Sequence, residues 1–215
     1  MNIRSKIRLF VDTPLGEGQS ILLDRDQANY LFNVMRLNIG DYISVFNGKD
    51  GEWQADVLHA NKRKGILVAK YQSMQQLTPP DLWLLFAPIK KTRTDFIVEK
   101  ATEMGVSRIF PVNTDYTNSD RIKQSRLQSH SIEAAEQCGG TYVPPVDELS
   151  KLTSILKDWP KDRCLIFCDE NKVGEAVKTF KSSVGDKWAI LIGPEGGFSK
   201  NEIKYLKSLE FVTSI

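Results

Sequence analysis

Residues 192–202, IGPEGGFSKNE, set Gly193, Pro194, Glu195, Gly196 and Gly197 before a Ser199/Glu202 pair, and this is the stretch whose residue types most readily do chemistry. The apolar run WAILI ahead of it, stopped by Gly-Pro, reads as a buried strand, and Ser-x-x-Glu reads as the capping box of a following helix. A loop at the carboxyl end of a buried strand in an α/β sheet is where ligands sit. Free backbone N–H groups and a helix N-terminus converge there, and glycine admits a ligand close to the backbone. The loop has no Lys-Ser/Thr to cradle phosphates, its glycines do not space as G-x-G-x-x-G, and Glu195 repels phosphate. A ligand with hydroxyls, an uncharged ring or a positive centre fits better, and S-adenosylmethionine, a sulfonium with a ribose diol, is one such molecule. The same residues also make a plain tight turn between strand and helix.

Other reactive groups are sparse. The three cysteines, Cys138, Cys164 and Cys168, are an odd set that suits a reducing compartment better than a disulfide framework. Cys164 and Cys168 lie four residues apart in the apolar run RCLIFCDE, so they share a face and read as buried core thiols. The two histidines, His59 and His130, are far apart and lack ligand spacing, which argues against a zinc site or a serine/histidine triad. Formal net charge is +2, too small for a diffuse polycation, but residues 1–80 carry 10 Lys/Arg against 8 Asp/Glu, whereas 81–215 carry 19 of each. The basic tracts Arg4/Lys6/Arg8, Lys62/Arg63/Lys64, Lys90/Lys91/Arg93 and Arg121/Lys123/Arg126 form a polyanion track if the fold gathers them, and plain solvated faces if it does not.

The elements that must position these residues fall into two patterns. The polar stretch QSMQQLTPP, ending in two prolines, reads as a linker over 73–80. Before it, 1–72 alternates like a small β-rich domain, with RLFV, a pair of strands around NGKDG, and GILVAKY, interrupted by one helix over 26–35. After it, 81–215 alternates strand and helix. The strand LWLLFAPI leads to a helix capped by Thr92 and Asp95, with Ile97, Ala101 and Met104 on its apolar face and Gly105 as its stop. The strand RIFPV, a helix over 122–137, a helix over 148–156, the strand CLIFC and a short helix over 175–180 lead to the opening loop. Such alternation predicts a parallel sheet covered on both faces. No apolar run approaches about 20 residues and no signal peptide is visible, so a cytoplasmic protein without membrane contact is expected.

Five stretches in order resemble one family, the SPOUT-class 16S ribosomal RNA uridine-N3 methyltransferases. They are Arg8-Leu9-Phe10, NVMRLNIGD (33–41), KKTRTDFIVEKATEMGV (90–106), AAEQCGG (134–140) and IGPEGGFS (192–199) before Glu202. The resemblance implies an α/β fold in two parts: a small N-terminal β-rich domain of PUA or OB type, and a C-terminal SPOUT domain tied in a trefoil knot. It implies S-adenosylmethionine bound by Ile192, Gly193, Pro194, Glu195, Gly196 and Gly197 on one wall and by Phe167, Cys168 and Asp169 on a second. It further implies a homodimer without metal, acting on a uridine of the 16S ribosomal RNA in the small ribosomal subunit.

Methylation at N3 removes a weakly acidic ring proton before in-line attack on the sulfonium methyl. Arg8 is the expected catalytic cation, positioning the uridine or its phosphate, with Glu133 or Glu136 as the base. Arg8, Arg36, Lys62, Arg63, Lys64, Lys90, Lys91 and Arg93 are the expected RNA contacts. The chain departs from the family pattern twice. Asn29-Tyr30 replaces a histidine pair, and the knot-closing run that supplies a further arginine is expected just where FVTSI ends, so that segment is expected to be missing. A non-catalytic RNA-binding protein and a Rossmann-type oxidoreductase are the competing readings, the latter disfavoured by the absent glycine fingerprint.

Overall fold

The computed structural model describes Ser5, 7–119, 122–172 and 186–215. Arg4, Lys6 and Arg121 of the basic tracts, and the helix expected over 175–180, lie outside these residues. The chain divides into two compact units, Met1–Thr78 with Ala135–Val143, and Pro79–Ala134 with Pro144–Ile215.

In the first unit, β1 (Arg8–Phe10), β2 (Ser20–Leu23), β3 (Tyr42–Phe46), β4 (Glu52–Asn61) and β5 (Lys64–Met74) form a five-stranded sheet of order β1-β3-β4-β5-β2. Every neighbouring pair is antiparallel except β1 with β3. Period-two alternation sends Ile21, Ile43, Val45, Ala55, Val57, Leu67 and Ala69 to one face, where none is more than 2% exposed. Helix α1 (Arg25–Asn29) opens on an Asp24/Gln27 capping box and continues as a π-helical turn, Tyr30–Val34, so the expected helix over 26–35 is two geometries rather than one. Pairing of Met74 with Glu52 carries β5 past the expected boundary at residue 72 and into the expected linker. The polar, exposed end of that strand has no apolar alternation to reveal it.

In the second unit, β6 (Leu82–Phe86), β7 (Arg108–Asn113), β8 (Ser150–Lys151), β9 (Cys164–Phe167), β10 (Trp188–Ile192) and β11 (Val212–Ser214) form a six-stranded sheet of order β11-β9-β10-β6-β7-β8. Every pair is parallel. Helices α2 (Lys91–Glu103) and α3 (Gln124–Cys138) cover one face through Val98, Ala101 and Leu127 against Leu84, Phe86 and Ile109. Helices α4 (Leu152–Lys157) and α5 (Lys200–Lys207) cover the other through Leu152, Leu156 and Leu206 against Leu85, Leu165 and Leu191. The doubly covered parallel sheet is the one the strand–helix alternation predicts.

Local details differ from the sequence reading. Helix α2 starts at Lys91, and Lys90 at its cap makes no side-chain bond. Thr94 ties the first turn instead, its hydroxyl accepting the Ile89 N–H and donating to the Ile89 carbonyl at 3.0 Å each, while Asp95 pairs with Arg126. The buried stripe of α2 is Thr94, Val98, Ala101 and Thr102, and Met104 is 82% exposed. Gly105, at φ +81°, does stop the helix: its N–H reaches Thr102 O and that of Val106 reaches Ala101 O, a Schellman motif. Helix α4 begins at Leu152, because Ser150–Lys151 joins the sheet first. Strands β8 and β11, with 2 and 3 residues, are too short for periodicity to show them.

Candidate active site

Strands β6, β7, β9, β10 and β11 all end at the carboxyl edge of the second unit's sheet, and the 193–199 loop leaves from its middle, after β10. Each glycine of that loop has its own neighbourhood. A Cβ at Gly193 would lie 2.5 Å from the Phe198 ring, which packs edge-on against Phe167 with centroids 5.0 Å apart. Gly197 holds φ +69°, bonds its N–H to Pro194 O at 2.9 Å, and stands so close to the Glu170 carboxylate that a side chain would collide with it. Gly196 differs: its backbone is ordinary and the nearest atom to a Cβ would be Tyr116 Cβ at 3.7 Å. Two of the three glycines thus answer to local packing, and Gly196 alone opens space that the protein leaves unfilled.

The capping box of α5 reaches beyond its own helix. Glu202 is only 8% exposed, and its two carboxylate oxygens accept the Ser199 N–H and the Asp115 N–H, each at 2.9 Å. Ser199 Oγ accepts the Glu202 N–H and donates to Asp115 Oδ2. The turn after β7 is thereby pinned to the loop after β10. The turn is also closed internally, with Thr117 N–H on Thr114 O at 3.1 Å and Thr114 N–H on Thr117 Oγ1 at 2.9 Å. A cleft of about 410 Å³ adjoins this network, lined by Asn113, Thr114, Lys151, Leu152, Asn201 and Tyr205.

Phe167, Cys168 and Asp169 end β9 at the same edge. The Cys168 N–H bonds Leu191 O, and burial pushes its half-buried thiol up from the ordinary thiol range. Cys164 and Cys168 are half-buried rather than core thiols, and Cys138 is exposed. Asp169 is 4% exposed and turns its carboxylate to Lys207 Nζ at 2.8 Å and Ser214 Oγ at 3.4 Å, while its N–H reaches Ile215 O. The carboxylate therefore braces β11, leaving backbone and Cys168 as the groups this wall presents. Ile192 is 45% exposed where β10 ends. Lys90, Lys91 and Arg93 are exposed at the start of α2, and Arg93 Nη1 meets Glu195 Oε1 at 2.7 Å, which sets that basic tract beside the glycine loop.

Arg8, the expected catalytic cation, is bonded within the first unit. Its side chain is 8% exposed, and Nε donates to the fully buried Glu52 at 2.7 Å. Its remaining nitrogens donate to the carbonyls of Ala135, Glu136 and Gly140 at 2.6–2.7 Å, and its guanidinium lies 4.5 Å from the Phe46 ring centroid. A guanidinium has five N–H donors, and these bonds use four of them. Arg8 caps the orphan carbonyls at the end of α3, where a cation also suits the helix dipole. Glu136 Oε1 accepts the Phe10 N–H at 2.8 Å, so this candidate base helps lock the same joint. Glu133 is an exposed carboxylate beside His130. The RLF and AAEQCGG motifs are therefore two halves of one structural clasp. Arg36, Lys62, Arg63 and Lys64 are exposed, and Lys62 and Arg63 share a cleft of about 380 Å³ with Arg25, Asp26 and Asn29. Arg25 escaped the sequence reading because it stands alone in the chain and joins the basic group only through the fold.

Among the described residues no group of three or more His, Cys, Asp or Glu side chains could hold a metal ion, and no helix is long and apolar enough to cross a membrane. A parallel α/β sheet with a glycine loop at its carboxyl edge, carried with a small β-rich unit, defines an α/β protein with an appended module. Residues 76–214 match the RNA methyltransferase domain and residues 23–70 the RNA methyltransferase PUA domain. The chain belongs to the RNA methyltransferase domain family, with a PUA unit followed by a parallel α/β domain. It is 28% identical to ribosomal RNA small subunit methyltransferase E of Rickettsia conorii over 97% of this chain and 86% of that one. To the protein of the same name from Bacillus subtilis it is 24% identical over 92% and 82%. The fold is shared with the Neisseria gonorrhoeae enzyme of that name, solved with S-adenosyl methionine, at a TM-score of 0.84 and 22% identity over 97% of this chain and 88% of that one. A methyltransferase from Legionella pneumophila, also solved with the cofactor, matches at 0.81 and 22% over 99% and 89%.

Proposed function

We propose that this protein methylates N3 of a uridine in the 16S ribosomal RNA of the small subunit, using S-adenosylmethionine, as a cytoplasmic homodimer. The observation that carries the reading is Gly196. It is the one glycine of the loop with no conformational or packing need, and it leaves beside the backbone the room a ligand requires. The cofactor suits the donors present: backbone from 192–197 and 167–169, an apolar Ile192, and the exposed carboxylate of Glu195 toward a positive centre. When bound it supplies an electrophilic methyl group.

The chain's own residues do the rest. Lys90, Lys91 and Arg93, at the positive end of α2, hold RNA phosphates beside the loop and favour the uridine anion. Lys62, Arg63, Lys64, Arg36 and Arg25 add phosphate contacts from the PUA-like unit. The glycine loop fixes the reacting partners in line, which supplies much of the acceleration.

The test uses 30S subunits from cells lacking the gene, labelled cofactor and nucleoside analysis. Label in 3-methyluridine is expected, and its absence, or label in another nucleoside, would sink the reading. Gly196→Val should weaken cofactor binding at least about tenfold in calorimetry with an unchanged unfolding midpoint. Equal affinity would show that the loop is only a turn.

A further inference from the structure

We propose that Tyr116 is a positioning residue that stacks on a planar heterocycle seated beside Gly196, either the adenine of the cofactor or the uracil of the substrate. The inference rests on the ligand site of the preceding reading. It starts from a mismatch between how firmly Tyr116 is held and how little it packs. The side chain is 48% exposed, yet it sits in a turn closed by Thr114 and Thr117. Its neighbour Asp115 is fastened at both the N–H and the carboxylate, to Glu202 and Ser199. A surface loop with no further task has no need of that many bonds to present one aromatic ring.

What stands next to it sharpens the point. Tyr116 Cβ is 3.7 Å from where a Gly196 Cβ would be, and Gly196 is the position where the loop leaves room. An exposed aromatic on a pinned turn, beside a backbone stripped of its side chain, suits a flat ring. Stacking is tolerant of base identity because every base has a π-face, and a tyrosine held in advance gives up little conformational freedom to make the contact. Ile192, exposed at the start of the same loop, is a further apolar side chain at this edge. No described residue hydrogen-bonds the Tyr116 hydroxyl, so the ring rather than the hydroxyl is the working part.

Wild type, Tyr116→Phe, Tyr116→Leu and Tyr116→Ala are compared in two measurements: cofactor affinity by calorimetry without RNA, and KM for 30S subunits at saturating cofactor. The phenylalanine variant should match wild type in both. The leucine and alanine variants should lose about 10- to 100-fold in one of them. A loss in calorimetry assigns the ring to adenine, and a loss confined to KM assigns it to uracil. The leucine variant keeps apolar bulk without a π-face, so it separates stacking from mere packing should alanine disturb the fold. Leucine equal to wild type in both measurements, or phenylalanine as poor as alanine, overturns the stacking role. Wild type that fails to bind the cofactor overturns the site reading and this inference together, whereas tight wild-type binding with silent Tyr116 variants overturns this inference alone.

Discussion

The two edges of the second unit's parallel sheet are built from opposite materials. At the amino-terminal edge, Trp83, Phe110, Trp159 and Phe211 pack against one another in a chain of tilted, edge-on and stacked pairs with neighbouring centroids 5.0–5.9 Å apart. Arg163, 4% exposed, lies 3.5 Å from the Trp83 centroid and donates to Asp81 O, Asp81 Oδ1 and Trp188 O. The Trp159 indole N–H closes back on Arg163 O. At the carboxyl edge the aromatic pair Phe167 and Phe198 underlies a loop of glycines, with the side chains of Ile192 and Tyr116 exposed. One edge fills its space with aromatic rings and ties the Arg163 Nη1 and Nη2 groups to Asp81 and Trp188, and the other holds its backbone still while leaving surface open. On the proposed function, stability and ligand binding are thereby separated along the strand axis, as the strand-end rule for open α/β sheets leads one to expect.

That separation can be broken experimentally. The largest effect should come from Arg163→Ala, which removes a buried cation, two carbonyl partners and an aromatic contact. A stability loss of about 2–4 kcal/mol is expected, lowered from the full buried-pair cost because Asp81 is 42% exposed and can rehydrate. Denaturant unfolding reads the loss, and cofactor affinity of the folded fraction should stay as in wild type. A variant that unfolds normally but binds poorly would erase the distinction between the edges.

A smaller effect should follow Gly197→Ala at the open edge. The added methyl meets the Glu170 carboxylate in a left-handed backbone, so about 1–3 kcal/mol of stability should go, whereas Gly196→Ala should leave the unfolding midpoint alone. Identical midpoints for the two variants would refute the division of labour within the loop. The smallest effect concerns Cys168. Burial raises its thiol, so at neutral pH it carries less thiolate than an unperturbed cysteine, and its alkylation should climb only as pH passes above the ordinary thiol range. Mass spectrometry should show exposed Cys138 labelled first and Cys168 later, with bound cofactor slowing Cys168 further. Cofactor-independent labelling of Cys168 would remove the β9 end from the pocket.

Arg8 and Gly196 show how far sequence reading carries. Both were picked out as functional. In the structure Gly196 has no packing or conformational partner that demands glycine, whereas four Arg8 donors are engaged by the end of α3 and by Glu52. Sequence motifs mark where residue identity is constrained, and a constraint from folding reads the same as one from chemistry until partners are seen. Tyr116 errs the other way: a lone aromatic in NTDYTN carries no motif, although its Thr-Asp-x-Thr surroundings are turn-forming.

The amino-acid sequence by itself determined the strand–helix alternation, the doubly covered parallel sheet, the glycine loop and its capping box, because each depends on periodicity or on contacts within a few residues. Only the tertiary structure decided that Glu202 also holds Asp115, that 135–143 join the first unit, that Arg25 stands with Lys62 and Arg63, and that Tyr116 stands beside Gly196. Those pairings join residues tens of positions apart, and what selects them is the fit of whole elements on a sheet, which no local window of the chain records.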